Sequence, residues 1–192
     1  MWDLITSDYD NRLKPEMVFR NITEFVRPGS ILTFHDSIKA KSNLTEVLPL
    51  AISWMKEAAK VAEQALCLNA KCGTVIVKDG EIIGNGYNAP PLGKEENRTC
   101  NKEFGSGKPK FDRTCCMHAE WRAIMDALRR NPNKLNGSKL YFIRVDSQGN
   151  IKKSGQPYCT VCSRMALDAG ISQFLLWQDE GIAEYSTDEY NR

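Results

Sequence analysis

Cys72-Gly73-Thr74-Val75-Ile76-Val77-Lys78-Asp79-Gly80-Glu81-Ile82-Ile83-Gly84-Asn85-Gly86 is the stretch from which the fold is read outward. Two runs, 73–77 and 81–86, flank the pair Asp79-Gly80. A tight hairpin turn needs positive φ, which this pair tolerates, so the segment is expected to be a β-hairpin. Upstream, Trp54, Met55, Ala58, Val61, Ala62 and Ala65 recur at helical spacing, with Lys56, Glu57, Lys60 and Glu63 on the other face. Downstream, residues 88–117 form a polar loop rich in Pro, Gly, Lys and Cys. Loops of that length inside a domain are usually functional or locally stapled. A second helix is expected near His118, with Trp121, Ile124, Met125 and Leu128 at i, i+3, i+4 and i+7. Residues 140–145 read as a buried strand, 148–150 as a turn, 159–169 as a helix and 171–177 as a strand. Helices alternating with strands after an opening hairpin predict an α/β fold, a mixed sheet covered by helices on both faces. Pro49 is expected to mark the junction with a less regular front segment, because proline disfavours a continuing helix.

His118-Ala119-Glu120 opens one expected helix and Cys159-Thr160-Val161-Cys162 another. Cysteines at i and i+3 share a helical face, so both sulfurs reach one point. At a helix N-terminus the unpaired N–H groups and the dipole favour thiolate, the form that binds metal. One imidazole and two thiolates leave a tetrahedral zinc with an open fourth position, the arrangement of a catalytic site. A water there has its pKa lowered toward about 7. Glu120 is not needed as a ligand and is placed to take that proton and pass it on. Alone, a C-x-x-C pair also fits a redox couple or half of a structural zinc site, and H-x-E occurs by chance in many chains. In this order, at two helix starts, they are far more specific together.

The 192 residues suffice for one domain, or one domain with a short appendage. A hydrophobic content of 42% and a charged content of 26% are those of a soluble globular protein. The net charge of +2 argues against a protein that wraps duplex nucleic acid. No apolar run approaches the ~20 residues that cross a bilayer, so no membrane span is expected. Residues 1–8 lack the basic and apolar regions of a signal peptide, and a cytoplasmic location is expected. Seven cysteines, an odd number, fit that compartment better than a disulfide framework. The only histidines are His35 and His118, which excludes any site needing two histidines from the part after residue 50.

H-x-E followed by P-C-x-x-C is the signature of zinc deaminases of nucleobases. With Cys72–Gly80 and Gly86-Tyr87-Asn88-Ala89-Pro90-Pro91-Leu92-Gly93 added, residues 53–177 resemble the cytidine and deoxycytidylate deaminase superfamily, most of all its deoxycytidylate branch. The resemblance implies a three-layer α/β/α sandwich with a mixed sheet of about five strands. It also implies a zinc cofactor, a small-molecule nucleotide or nucleoside substrate, and a homo-oligomer. The implied reaction is hydrolysis of deoxycytidylate to deoxyuridylate and ammonia, with Glu120 passing protons to the ring nitrogen and the leaving amine. By the same resemblance Asn88 contacts the substrate sugar and the backbone at Ala119 contacts the base. The chain departs from the family where Tyr158 separates Pro157 from Cys159, and where Arg122 stands in place of an asparagine. A third departure is an added hairpin at 145–156.

Other readings stay open at this point. One is deamination of another base, guanine, or adenosine or cytidine in RNA; another is a non-catalytic zinc module, against which Glu120 argues. Lys94, Arg98, Lys102, Lys108, Lys110 and Arg113 are candidates for a 5′-phosphate, offset by Glu95, Glu96, Glu103 and Asp112. Arg122 either points toward such a phosphate or caps its helix face. Cys72, Cys100, Cys115 and Cys116 fit a second, structural metal by resemblance, or free, partly buried thiols. Residues 1–49 resemble something else, the C-terminal part of a NodB-type polysaccharide deacetylase. The resemblance rests on Trp2-Asp3-Leu4-Ile5-Thr6-Ser7-Asp8-Tyr9-Asp10 and on the expected strand 30–34 followed by His35-Asp36-Ser37. That family's metal-binding aspartate and paired histidines are absent, so the segment is expected to be a non-catalytic appendage to a deaminase domain at 50–192.

Overall fold

The computed structural model describes residues 4–5, 12–13, 17, 32–33, 41–100, 115–155, 158–179 and 181–192. The chain divides into two compact units, Met1–Lys56 and Glu57–Arg192. In the first, β1 (Leu4–Ile5) pairs in parallel with β2 (Leu32–Thr33), which falls within the strand expected at 30–34. His35 and most of the residues that carry the deacetylase resemblance lie outside the described residues. Helix α1 (Lys41–Glu63) runs through Pro49 instead of stopping at it. A proline costs an interior helix one backbone hydrogen bond, roughly 3 kcal/mol, and helix-favouring Leu48, Leu50 and Ala51 flank it here.

The second unit is built on β3 (Lys71–Lys78), β4 (Glu81–Tyr87), α2 (Ala119–Arg130), β5 (Lys139–Val145), β6 (Ile151–Lys152), α3 (Thr160–Asp168), β7 (Gln173–Gln178), β8 (Gly181–Ser186) and α4 (Thr187–Tyr190). The sheet order is β4-β3-β5-β7-β8, with β6 paired to the end of β5. β5 and β7 run parallel and the other pairs antiparallel, so the sheet is mixed. The β3–β4 turn is the expected one, with Asp79 at φ 50° and Gly80 at φ 76°. β6 is the return strand of the hairpin read at 145–156.

Side chains alternate across the sheet. Ile76, Leu140, Phe142, Phe174 and Leu176 form one core with Ala123, Ile124 and Ala127 of α2 and Cys162 and Ala166 of α3. Val75, Tyr141, Ile143 and Leu175 are buried at intervening positions on the opposite face. There Ala58 and Ala62 lie against Gly73, where a Cβ would sit 2.1 Å from the Ala58 carbonyl oxygen.

The buried stripe of α2 differs from the one expected. Ala119, Glu120, Ala123, Ile124 and Ala127 face inward, while Leu128 is exposed and Trp121 and Met125 are half-buried. Close approach explains this. A Cβ on Gly84 would lie 2.6 Å from the Ala123 carbonyl oxygen, and one on Gly86 would lie 2.4 Å from the Ala119 carbonyl oxygen. Glycines on the strand meet alanines on the helix, so the two backbones touch. Large side chains on that face would force them apart.

Candidate active site

Two helix starts converge on one point. His118 is the N-cap of α2, in extended conformation at φ −66° and ψ 151°. The residue before it is pinned: Met117 N–H donates to the Ala89 carbonyl at 2.8 Å, and Ala89 N–H donates back at 3.3 Å. Trp121, one turn on, stacks its ring on the His118 imidazole with centroids 4.5 Å apart. Cys159 is the N-cap of α3, and its Sγ accepts from the Cys162 N–H at 3.4 Å. His118 Nδ1 faces Cys162 Sγ at 3.1 Å, and the ligand atoms of His118, Cys159 and Cys162 all lie within 4.8 Å of one another. One imidazole nitrogen and two thiol sulfurs are the donor set of a zinc with three protein ligands, and these residues fit that metal.

Glu120 sits in the first turn of α2, only 3% exposed. Its Oε1 accepts from the Tyr158 hydroxyl at 2.7 Å. Burial, and then the neighbouring Glu120, hold the Cys162 thiol and the Tyr158 phenol above their usual ranges. A buried thiol that stays neutral by itself gives up its proton when a metal binds.

These residues border a cavity of about 430 Å³, within the range of small-molecule sites. Its walls include His118, Ala119, Glu120, Tyr158, Cys159, Phe142 and Asn88, together with Leu68 and Asn69. Asn88 is therefore at the cavity, but its amide is already engaged with backbone. Its Oδ1 accepts from Cys72 N–H at 2.8 Å and its Nδ2 donates to the Ala70 carbonyl at 2.7 Å. Ala119 is also at the wall and is fully buried.

Among the described residues, three of the charged candidates have partners of their own. Arg98 binds Glu95 through two bonds of 2.6 Å and donates to the Leu66 carbonyl at 2.6 Å, so it tethers its loop. Lys94 pairs with Glu96 at 3.3 Å. Arg122 donates to the Pro90 carbonyl at 2.8 Å and lies over the Tyr87 ring at 5.3 Å, fixing the segment that follows β4. Lys102, Lys108, Lys110 and Arg113 lie outside the described residues. Six of the seven cysteines line the cavity. Cys72 is pushed up to about 12, first by burial and then by Glu120, and Cys116 likewise to about 12 by burial and Cys67. Cys115 is lowered to about 7: burial opposes this, but hydrogen bonds from Thr99 and Cys100 outweigh it. Among the described residues, His118, Cys159 and Cys162 form the group whose ligand atoms converge.

A mixed sheet with flanking helices, and a histidine and two cysteines gathered beside a buried glutamate, define a zinc-dependent deaminase. The family model for the cytidine and deoxycytidylate deaminase zinc-binding region matches residues 50–177, and the chain belongs to that family. It is 28% identical over 123 residues to the deoxycytidylate deaminase of Mycobacterium phage D29, a match spanning 60% of this chain and 84% of that protein. It is 28% identical over 141 residues to the deoxycytidylate deaminase of Saccharomyces cerevisiae, spanning 69% of this chain but 39% of the yeast protein. Among solved structures it is similar to the dCMP deaminase of cyanophage S-TIM5. Identity there is 24% and the TM-score 0.47, covering 66% of this chain and 80% of that one. The family match begins at residue 50, and the comparisons lend the deacetylase resemblance of residues 1–49 no support.

Tyr158 is the site residue that sequence reasoning missed. It was visible there only as an interruption between Pro157 and Cys159, with nothing to say where its hydroxyl points.

Proposed function

We propose that this chain hydrolyses deoxycytidylate to deoxyuridylate and ammonia, with His118, Cys159 and Cys162 holding zinc and Glu120 moving the protons. The observation that carries the reading is a buried carboxyl at the cavity that His118 and Cys159 also line, with Cys162 completing a group of three converging metal donors. When bound, zinc supplies the Lewis acid that makes a water molecule acidic near neutral pH. Glu120 takes one proton from the attacking water and delivers it to ring nitrogen N3 as the water oxygen bonds C4. The same carboxylate then carries the second proton to the amine, the C4–N4 bond breaks, and ammonia leaves. The Ala119 backbone contacts the base and Asn88 the sugar, Asn88 being pre-set by its bonds to Ala70 and Cys72. The activity of the phage and yeast relatives supports deoxycytidylate over other cytosine substrates. Residues 50–192 carry the reaction, residues 1–49 are a non-catalytic, deacetylase-like segment, and the protein acts in the cytoplasm as a homo-oligomer. Among the described residues no helix is long and apolar enough to cross a membrane.

The test is ammonia release across a panel of nucleosides, nucleotides and free bases, with wild type beside Glu120→Gln. The variant should keep its zinc and lose about 10²- to 10⁴-fold in turnover. A Glu120→Gln protein that retains most of its activity would overturn the assignment of Glu120. A wild type inactive on every cytosine compound would overturn the function.

A further inference from the structure

We propose that Tyr158 is a positioning residue for Glu120, held in place by an aromatic brace that reaches to the last residues of the chain. This rests on the deaminase reading above and concerns a residue the family's proline-cysteine signature does not have. The Tyr158 hydroxyl donates to Glu120 Oε1 at 2.7 Å, and both side chains are buried, at 8% and 3% exposure. A tyrosine used only for packing would be served as well by phenylalanine, because a buried hydroxyl must find a partner. Here the partner is the carboxyl that moves the protons.

The ring has little freedom. It stacks on Phe174 with centroids 4.8 Å apart, and meets Phe142 edge-on at 5.7 Å and Tyr190 edge-on at 6.4 Å. Tyr190 also packs edge-on to Phe174 at 5.0 Å and donates its hydroxyl to the Tyr158 carbonyl at 3.4 Å. Tyr190 belongs to α4, beyond the residues that the family model matches. A glutamate has three side-chain torsions, the last of them broad. A fixed donor on Oε1 settles that last torsion and leaves Oε2 to carry the proton. Proline in this position, as in the signature, has no group to offer for this.

The experiment uses Tyr158→Phe in the zinc-loaded full chain, which keeps the ring and removes one oxygen. Zinc content should be unchanged and KM should move less than about threefold. The kcat should fall about 10- to 100-fold, as expected for a misplaced catalytic group. A kcat within about twofold of wild type, or a fall matched by lost zinc, overturns the proposal. A second readout needs no turnover: melting temperatures of Tyr158→Phe, Glu120→Ala and the double variant. Because either single change removes the same bond, the double variant should lose clearly less than the two singles summed. Strict additivity overturns the proposal even if kcat falls. Absence of turnover in wild type would sink the deaminase reading instead, and the melting cycle would still decide whether Tyr158 restrains Glu120.

Discussion

Replacing Gly86 with alanine tests the contact that places the active site. A Cβ at residue 86 would lie 2.4 Å from both the Ala119 carbonyl oxygen and the Ala123 nitrogen, and 2.7 Å from Arg122 Cβ. Ordinary contact begins at 3.4 Å, so the first turn of α2 must retreat by about 1 Å. Backbone atoms have no rotamer to escape into, and overpacking of this kind costs roughly 1–3 kcal/mol. For a chain of this size each kcal/mol lowers the melting temperature by about 2–4 °C, giving a fall of roughly 2–12 °C. Glu120 lies in the turn that moves and His118 precedes it, and a shift near 1 Å at catalytic groups costs about 10²-fold in rate. Gly84→Ala is the companion. It meets the Ala123 carbonyl oxygen and Ala127 Cβ at 2.6 Å, one turn and more further along, so it should destabilise similarly and slow turnover much less. Thermal melting and kcat on the zinc-loaded proteins read both effects. A Gly86→Ala protein melting within about 1 °C of wild type would refute the backbone contact. Equal losses of kcat in the two variants would refute its link to the site.

Three further expectations follow from the site and its surroundings. Wild type should carry roughly one zinc per chain and a Cys159→Ala, Cys162→Ala double variant should lose it; metal analysis reads both, and unchanged zinc in the variant would sink the ligand set. Glu184 is mostly buried 4.0 Å from Lys139, and burial pushes its carboxyl from 4.5 up to about 7 despite Lys139 and Gln173. Between those values the folded chain holds a proton that the unfolded chain has lost. Stability should therefore fall as pH rises from about 4.5 to 7, by up to about 3 kcal/mol, and denaturant melts of Glu184→Gln should lack that slope. Arg98, buried and committed to Glu95 and the Leu66 carbonyl, is not a free clamp for a 5′-phosphate. Arg98→Lys should change KM for deoxycytidylate and deoxycytidine by a similar factor, and a rise confined to the monophosphate would show that Arg98 touches it.

What the sequence disclosed depended on whether a local rule could reach it. The 73–86 hairpin was legible because Asp79-Gly80 needs positive φ, and the metal donors because i, i+3 spacing at a helix start brings two sulfurs together. The inward face of α2 was misread because a hydrophobic stripe weighs Trp121 and Leu128 above alanine. What decides that face is Gly84 and Gly86, in sequence more than 30 residues away. The run past Pro49 was hidden because a single breaker is outweighed by its flanks. β8 and α4 carry no strong periodicity, and Gly181–Ser186 is half-buried throughout, so nothing there marks an edge strand. The Tyr158–Glu120 bond joins residues 38 apart, and no spacing rule covers that distance.

The two helix starts that meet at the site are separated along the chain by 41 positions, from His118 to Cys159. An ion gripping both ends turns that stretch into a closed ring and removes conformations from the unfolded chain. A permanent link of this span would be worth on the order of 4 kcal/mol by loop entropy. Because that entropy grows only with the logarithm of length, doubling the ring would alter it by about 0.6 kcal/mol. The β5–β6 turn at 146–150, which lies within the ring and is closed by Asp146 on the Gln148 and Asn150 N–H groups at 2.9 Å, is thus a place where the chain can lengthen at little thermodynamic cost. The metal thereby acts as a clasp as well as a reagent, and it leaves the polypeptide between its two ends free to diverge.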